Sequence, residues 1–121
     1  MQTLETTGPK SIDWAAGLFE GEGCIHRRTD KKHHKSPWRL SLEMTDKGTV
    51  EDFHKTLNTG TMSGPVHPPS RKDYHKSTWI WRASSRADVI TVLNYFLPLL
   101  GYNRKKKAIA CLKEYEPYAT N

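Results

Sequence analysis

The sequence predicts an α+β fold: one four-stranded antiparallel sheet with helices packed on one face. Three observations carry this. Two pairs of short segments alternate in residue type, "CIHRR" with "WRLSLEM" and "TMSGPV" with "STWIWRA". Helix-spaced segments stand outside those pairs, giving the order helix, strand, strand, helix, strand, strand, helix, helix. Hairpins separated by helices in this way bury one sheet face and leave the other open. Finally, 121 residues suit one domain with one modest core.

Residues 1–10 are polar, contain Gly8 and Pro9 and show no period, so they are expected to form a flexible arm, with a single domain over 11–121. Ser11 or Asp13 can cap a first helix, in which Ile12, Ala15, Ala16 and Phe19 are helically spaced before the glycines stop it near Glu22. In the first hairpin Leu40, Leu42 and Met44 fall on one side and Arg39, Ser41 and Glu43 on the other. Its connection, "TDKKHHKSP", is poor core material and reads as a surface loop. A second helix capped by Thr45 or Asp46 would turn Val50, Phe53, His54 and Leu57 to one face and close at Gly60. The second hairpin is joined by "HPPSRKDYHK", whose prolines forbid a continuous strand. A third helix starts at a Ser cap with Asp88 in its first turn, buries Val89, Val92, Leu93 and Phe96, and is broken by Pro98. After Gly101 a last helix carries Ile109, Leu112 and Tyr115 inward and ends near Pro117.

Charge narrows the function. Lys and Arg number 19 against 13 Asp and Glu, a net +6, which favours a polyanionic partner, nucleic acid before an anionic membrane. No run approaches the 18 or so apolar residues of a spanning helix, and "MQTLETTGPK" lacks a signal peptide's apolar centre, so a soluble, intracellular protein with no membrane partner is expected. Cys24 and Cys111 are far apart in sequence and outside any C-x-x-C spacing, which supports two free thiols. Adjacent histidines at 33 and 34 in a loop do not match a zinc finger.

"WAAGLFEGEGCI", Trp14 to Ile25, carries the chemistry. Gly17 and Gly21 stand four apart on one helical stripe beside Ala16, so a second backbone can approach closely. That backbone belongs either to another helix of the same chain or to the same helix of a second copy, in a two-fold dimer. In a dimer Glu22, at the foot of the helix, would meet its twin near the axis, and divalent cations between the carboxylates would relieve their repulsion.

"AAGLFEGEG", Ala15 to Gly23, resembles the LAGLIDADG motif of homing endonucleases, and the order of elements over 11–116 is similar to that of the family's single-motif, homodimeric members. Ala15 replaces the leading Leu, Phe19 the Ile and Gly21 the Ala, and both acids are Glu. The resemblance implies an αββαββα homing endonuclease-like fold whose sheet binds DNA. It implies that Glu22 ligates Mg²⁺, or another divalent cation such as Mn²⁺ or Ca²⁺, with the backbone carbonyl of Gly21 in reach of the same ion. Ala16, Gly17, Glu20 and Gly21 would form the dimer interface, Glu20 as a structural or capping acid. Asp46 either orders the attacking water or caps its helix. An active-site cation is expected from Asn103 to Lys106, with Arg104 and Lys105 as the catalytic candidates.

A strand pair fits the major groove with alternate side chains toward base edges. The expected open face carries Cys24, His26, Arg28, Arg39, Ser41 and Glu43 from the first hairpin, and Thr61, Ser63, Thr78, Ile80 and Arg82 from the second. Arg28, Arg39 and Arg82 suit guanine, Glu43 a cytosine amino group and Ile80 a thymine methyl. Lys31, Lys32, Lys35, Arg71, Lys72 and Lys76 suit phosphates. Trp79 and Trp81 lie in the opposite phase and are expected in the core. The reading is a site-specific, Mg²⁺-dependent double-strand DNA endonuclease acting as a homodimer, with staggered cuts and a mobile-element setting implied by the resemblance. A non-cleaving DNA-binding regulator, or an intron maturase with intron RNA as partner, is the alternative. A small RNA-binding module fits less well, because the aromatics do not gather on the open face.

Overall fold

The computed structural model describes residues 10–33, 35–67 and 76–119. The arm over 1–9 and the phosphate candidates Arg71 and Lys72 lie outside them. The elements are α1 (Ile12–Glu22), β1 (Gly23–Arg27), β2 (Trp38–Met44), α2 (Lys47–Leu57), β3 (Thr61–Val66), β4 (Thr78–Ala83), α3 (Arg86–Phe96) and α4 (Tyr102–Ala119). The strands form one sheet in the order β1-β2-β4-β3, every neighbouring pair antiparallel. This is the α+β architecture expected from the alternating segments. Among the described residues no helix is long and apolar enough to cross a membrane.

Three helices begin on side-chain caps. Ser11 accepts from the Trp14 amide, Asp46 from the Thr49 amide and Ser85 from the Asp88 amide, each satisfying an orphan donor of the first turn. α2 ends at Asn58 in the left-handed region (φ 52), two residues before the expected Gly60. Gly60 (φ +82) then takes the turn into β3, where a Cβ would stand 2.6 Å from the Trp81 indole nitrogen and from the Arg82 carbonyl oxygen.

All four helices cover the same sheet face. Ile25, Leu40, Leu42, Trp81 and Ala83 meet Ala15 and Phe19 of α1, Phe53 of α2, Phe96 of α3 and Cys111 of α4 in one buried cluster. Phe53 is central to it, lying edge-on to Trp81 at 4.9 Å and to Phe96 at 6.3 Å between ring centroids, while Phe96 also meets Phe19 at 5.4 Å. α4 is fastened to the first hairpin by polar contacts that the sequence did not announce. The Arg27 guanidinium grips Glu114 through Nε (2.9 Å) and Nη2 (2.6 Å), the Trp38 indole donates to the same carboxylate (2.8 Å), and the Trp38 amide donates to the Tyr115 hydroxyl (3.0 Å).

Several local expectations are corrected. Ile109 faces solvent at 38% exposure, because Ala108, Cys111 and Tyr115 form the buried stripe of α4 with Leu112 half-buried beside them. α4 continues two residues past Pro117. His54 is half-buried and its imidazole Nε2 lies 3.1 Å from the Gly60 carbonyl oxygen, while Thr56 takes the fully buried position next to Leu57. The connection between β1 and β2 contains a 3₁₀ turn, Lys31–His33, and Pro98 lies in a second, Leu97–Leu99. Trp79 is half-buried, whereas Trp81 is fully buried with its indole N–H on the Thr59 carbonyl (2.8 Å).

Candidate functional site

Helical geometry divides the two motif acids. Positions two apart on a helix differ by roughly 200° in direction, so Glu20 and Glu22 face different surroundings. Glu20 turns toward its own chain: Oε1 accepts the Gly101 amide at 2.6 Å, and Oε2 lies 3.4 Å from Arg104 Nη1. Glu22, the last residue of α1, is exposed, and among the described residues its carboxylate has no hydrogen bond or ion pair. The helix stops there because the Gly23 amide closes back on the Phe19 carbonyl and the chain becomes extended (φ −84, ψ 168). Gly23 is required for space, since a Cβ would stand 2.3 Å from Phe19 Cδ1.

Arg104 braces this junction. Its Nη2 donates to the Gly23 carbonyl at 2.6 Å while Nη1 faces Glu20, so the guanidinium ties the foot of α1 and the start of β1 to α4. The expected active-site cation is thus committed within its own chain. Lys105 is half-exposed one residue on. Asp46 is committed too: Oδ1 holds the Thr49 amide (3.4 Å) and Oδ2 the Thr49 hydroxyl (2.9 Å). Of its two sequence readings, the structure displays the cap.

The residues assigned to a dimer face separate. Ala16 is fully buried in its own chain's core, because it lies beside Ala15 on the inner side of α1. Glu20 is partly occupied by Gly101 and Arg104. Gly17 and Gly21 are exposed, and a Cβ at either would meet nothing within 4 Å.

Strand register gives the open face its rows. Cys24, Ser41, Arg82 and Thr61 are successive cross-strand partners, as are Glu43, Ile80 and Ser63, while His26 pairs with Arg39. Cys24, His26, Glu43, Thr61, Ser63 and Arg82 are exposed, and Arg39, Ser41 and Thr78 partly so. Three of the base-reading candidates are engaged within the chain or little exposed. Arg28 lies beyond the end of β1, its amide bonded to the Pro37 carbonyl and its Nη2 to the Ser36 carbonyl, so both tie it to the far side of the hairpin connection. Ile80 is 6% exposed between Glu43 and Ser63, leaving little methyl surface for a thymine. Glu43 accepts from the Thr78 hydroxyl at 2.5 Å, which occupies one carboxylate oxygen. The Nε atoms of Arg28 and Arg39 are shut from solvent with no partner among the described residues. Lys31, Lys32 and Lys35 in the first hairpin connection and Lys76 in the second are exposed.

Among the described residues no group of three His, Cys, Asp or Glu side chains is gathered for a metal. One chain does offer an uncommitted carboxylate, Glu22, next to the exposed Gly21. Such oxygen donors fit a hard divalent cation that retains several waters, and two such chains would double the set. Away from this site, burial pushes the Cys111 thiol up to about 12, while Cys24 is exposed.

A four-stranded sheet with this strand order, covered by helices on one face, is the fold this chain shares with homing endonucleases of solved structure. Solved structures bear this out. The homing endonuclease I-CvuI in complex with its target, in the presence of calcium, superposes with a TM-score of 0.64 at 20% identity, over 84% of this chain and 63% of that one. I-CeuI complexed with DNA gives 0.64 at 17% identity, over 97% and 58%. I-TnaI gives 0.62 at 16%, over 88% and 71%. The chain therefore spans less than two thirds of the I-CvuI and I-CeuI chains, and at these identities the likeness is one of fold. No protein-family model matches the sequence, and no curated protein does.

Proposed function

We propose that the chain is a site-specific DNA endonuclease that acts as a homodimer and depends on Mg²⁺. One observation carries the reading: the sole motif acid with no partner among the described residues, Glu22, is held out at the foot of α1, where the helix enters a sheet with an exposed polar face. Gly17 and Gly21 leave room for a second copy of α1 against the first. With Glu22 from each copy near the two-fold axis, the two carboxylates and the Gly21 carbonyls would hold the cations. Bound there, a divalent ion supplies Lewis-acid stabilisation and a more acidic water for phosphodiester hydrolysis.

The remaining work falls to the chain's own groups. Arg104, through Gly23 and Glu20, fixes the direction in which Glu22 leaves the helix. Arg39 and Arg82 carry donors suited to guanine edges, and His26, Ser41, Ser63, Thr61 and Thr78 supply shorter polar contacts. Lys31, Lys32, Lys35 and Lys76 serve the sugar-phosphate backbone, where their contribution falls with salt. DNA as substrate accords with the DNA-bound neighbours I-CvuI and I-CeuI.

A non-cleaving DNA-binding regulator or intron maturase is favoured by a different observation, the commitment of Asp46 and Arg104 to internal contacts. Incubation with a randomised duplex library, with and without Mg²⁺, separates the two. The endonuclease predicts Mg²⁺-dependent cleavage at a restricted set of sites, abolished in Glu22→Gln with binding retained. Sequence-specific binding without cleavage at any divalent-ion concentration refutes it, and a monomer at micromolar concentration on DNA refutes the homodimer.

A further inference from the structure

Between the outer edge of β1 and the first two turns of α4 lies an open cavity of about 220 Å³, lined by Gly23, Cys24, Ile25, Asn103, Arg104 and Lys107. β1 is an edge strand, so this side of it has no strand partner among the described residues. The charged lining residues are both cations, and among the described residues no carboxylate lines the cavity. Arg104 is occupied by Glu20 and the Gly23 carbonyl. Asn103 and Lys107 are exposed, and neither side chain has a hydrogen bond or ion pair among the described residues. Their neighbour Lys106 instead lies over the Tyr102 ring, 5.0 Å from its centroid. The cavity therefore presents one free ammonium and one free amide beside the opening turn of an 18-residue helix, whose first amides add positive potential.

Its location relative to the open face is set by Cys24. That residue is one wall of the cavity and also the first member of the row Cys24, Ser41, Arg82, Thr61. From Glu22 to Cys24 the chain advances two residues, about 7 Å in extended conformation. The geometry points to this cavity as the seat of a phosphodiester group of bound DNA, held by Lys107 and Asn103 close to the phosphate addressed by Glu22. In naming DNA this rests on the endonuclease reading; the anion chemistry rests on the cavity alone. Lys107 becomes a strand-positioning residue, distinct from the brace formed by Arg104.

Cys24 provides the readout. N-ethylmaleimide, an uncharged probe, is applied to the full chain, where Cys111 is fully buried and does not compete. Inorganic phosphate slows Cys24 alkylation several-fold beyond chloride at matched ionic strength, and a short duplex slows it further. Lys107→Gln raises the phosphate concentration for half-protection by about tenfold, as expected for loss of one charge-assisted contact. With the duplex it lowers the slope of log affinity against log salt by about 0.9. Asn103→Ala weakens protection less, and Lys107→Arg restores most of it. Protection no greater than with chloride, or unchanged in Lys107→Gln for both probes, overturns the assignment. Failure of the endonuclease reading is distinguishable: a chain that cleaves no duplex yet shows Lys107-dependent protection of Cys24 by inorganic phosphate keeps the cavity and loses the nuclease.

Discussion

Replacing Gly23 by alanine probes the junction on which the site depends. A Cβ there would stand 2.3 Å from Cδ1 of Phe19 and 2.6 Å from its Cγ and Cε1. Favourable carbon contacts begin near 3.5 Å, so three overlaps of about 1 Å must be relieved. The Phe19 ring has no free direction, being fully buried and packed on Phe96, which itself meets Phe53. The backbone cannot retreat cheaply either, because the Gly23 carbonyl is held by Arg104 and its amide by Phe19. At φ −84 the residue is in a region open to alanine, which leaves packing as the whole cost. Overpacking of this kind costs about 1–3 kcal/mol. With a urea slope near 2 kcal/mol/M, the unfolding midpoint should fall by about 1 M with an unchanged slope. Gly17→Ala is the control: it meets nothing within 4 Å, lies inside a helix and should gain up to about 1 kcal/mol in an isolated chain. A Gly23→Ala midpoint within about 0.2 M of the parent would refute the packing argument.

Other expectations follow from the same contacts. In the native protein N-ethylmaleimide should add one label, at Cys24, and a second only in denaturant, because burial holds the Cys111 thiol near 12; mass spectrometry reads the count. The hydrogen bond from Arg27 holds the Glu114 carboxyl below the usual carboxylate range. Its contribution is therefore complete above the unfolded-state pKa of about 4.3 and is lost as pH falls through the lower folded value. Thermal melting of Glu114→Gln should accordingly depend less on pH below 4 or so than the parent, with a small, salt-sensitive difference because both partners are substantially exposed. Asp46→Ala should cost about 1 kcal/mol by chemical denaturation, since it removes the cap of α2. If Asp46 also orders a nucleophile, Asp46→Asn, which can still cap, loses cleavage rate at the parent's stability, and single-turnover kinetics reads the loss.

What the sequence makes legible depends on the range of the interaction. Helix caps at Ser11, Asp46 and Ser85 join residues three positions apart, and each can be read from a short window. Strand alternation likewise identifies the open face through Ser41, Glu43, Arg82 and Ser63. Ile80 obeys that alternation and is nevertheless covered, because its exposure depends on neighbours from β2 and β3 whose side chains no single-strand pattern contains. Arg28 follows the alternation too, but the strand has ended and its Nη2 donates to the Ser36 carbonyl. The bond from Arg104 to Gly23 spans 81 residues and that from Trp38 to Glu114 spans 76, distances at which no local period constrains the pairing. For Ile109 a signal was available: Ala108 and Cys111, small and easily passed over, form the buried stripe with Tyr115, and their spacing excludes Ile109.

The motif's two glutamates differ in their surroundings, Glu20 being held within the chain and Glu22 exposed. Glu20, Arg104, Gly101 and Gly23 form a closed set of contacts in which acid, cation, amide and carbonyl are satisfied together. Arg104→Met should therefore loosen the α1–β1 junction from which Glu22 projects, lowering both the melting temperature and any cleavage rate. Arg104→Lys separates the roles, because a lysine keeps the charge but cannot span Glu20 and the Gly23 carbonyl as a fork. If Arg104 acts as a brace, Arg104→Lys loses stability as Arg104→Met does, and Glu20→Gln added to either variant costs little more, since the members of one network are not additive. If Arg104 acts on the phosphate, Arg104→Lys retains cleavage at full stability and its effects add to those of Glu20→Gln. A double-mutant cycle measured in urea and in single-turnover cleavage decides between the two, and a coupling energy near zero would remove the brace from the account of how Glu22 is aimed.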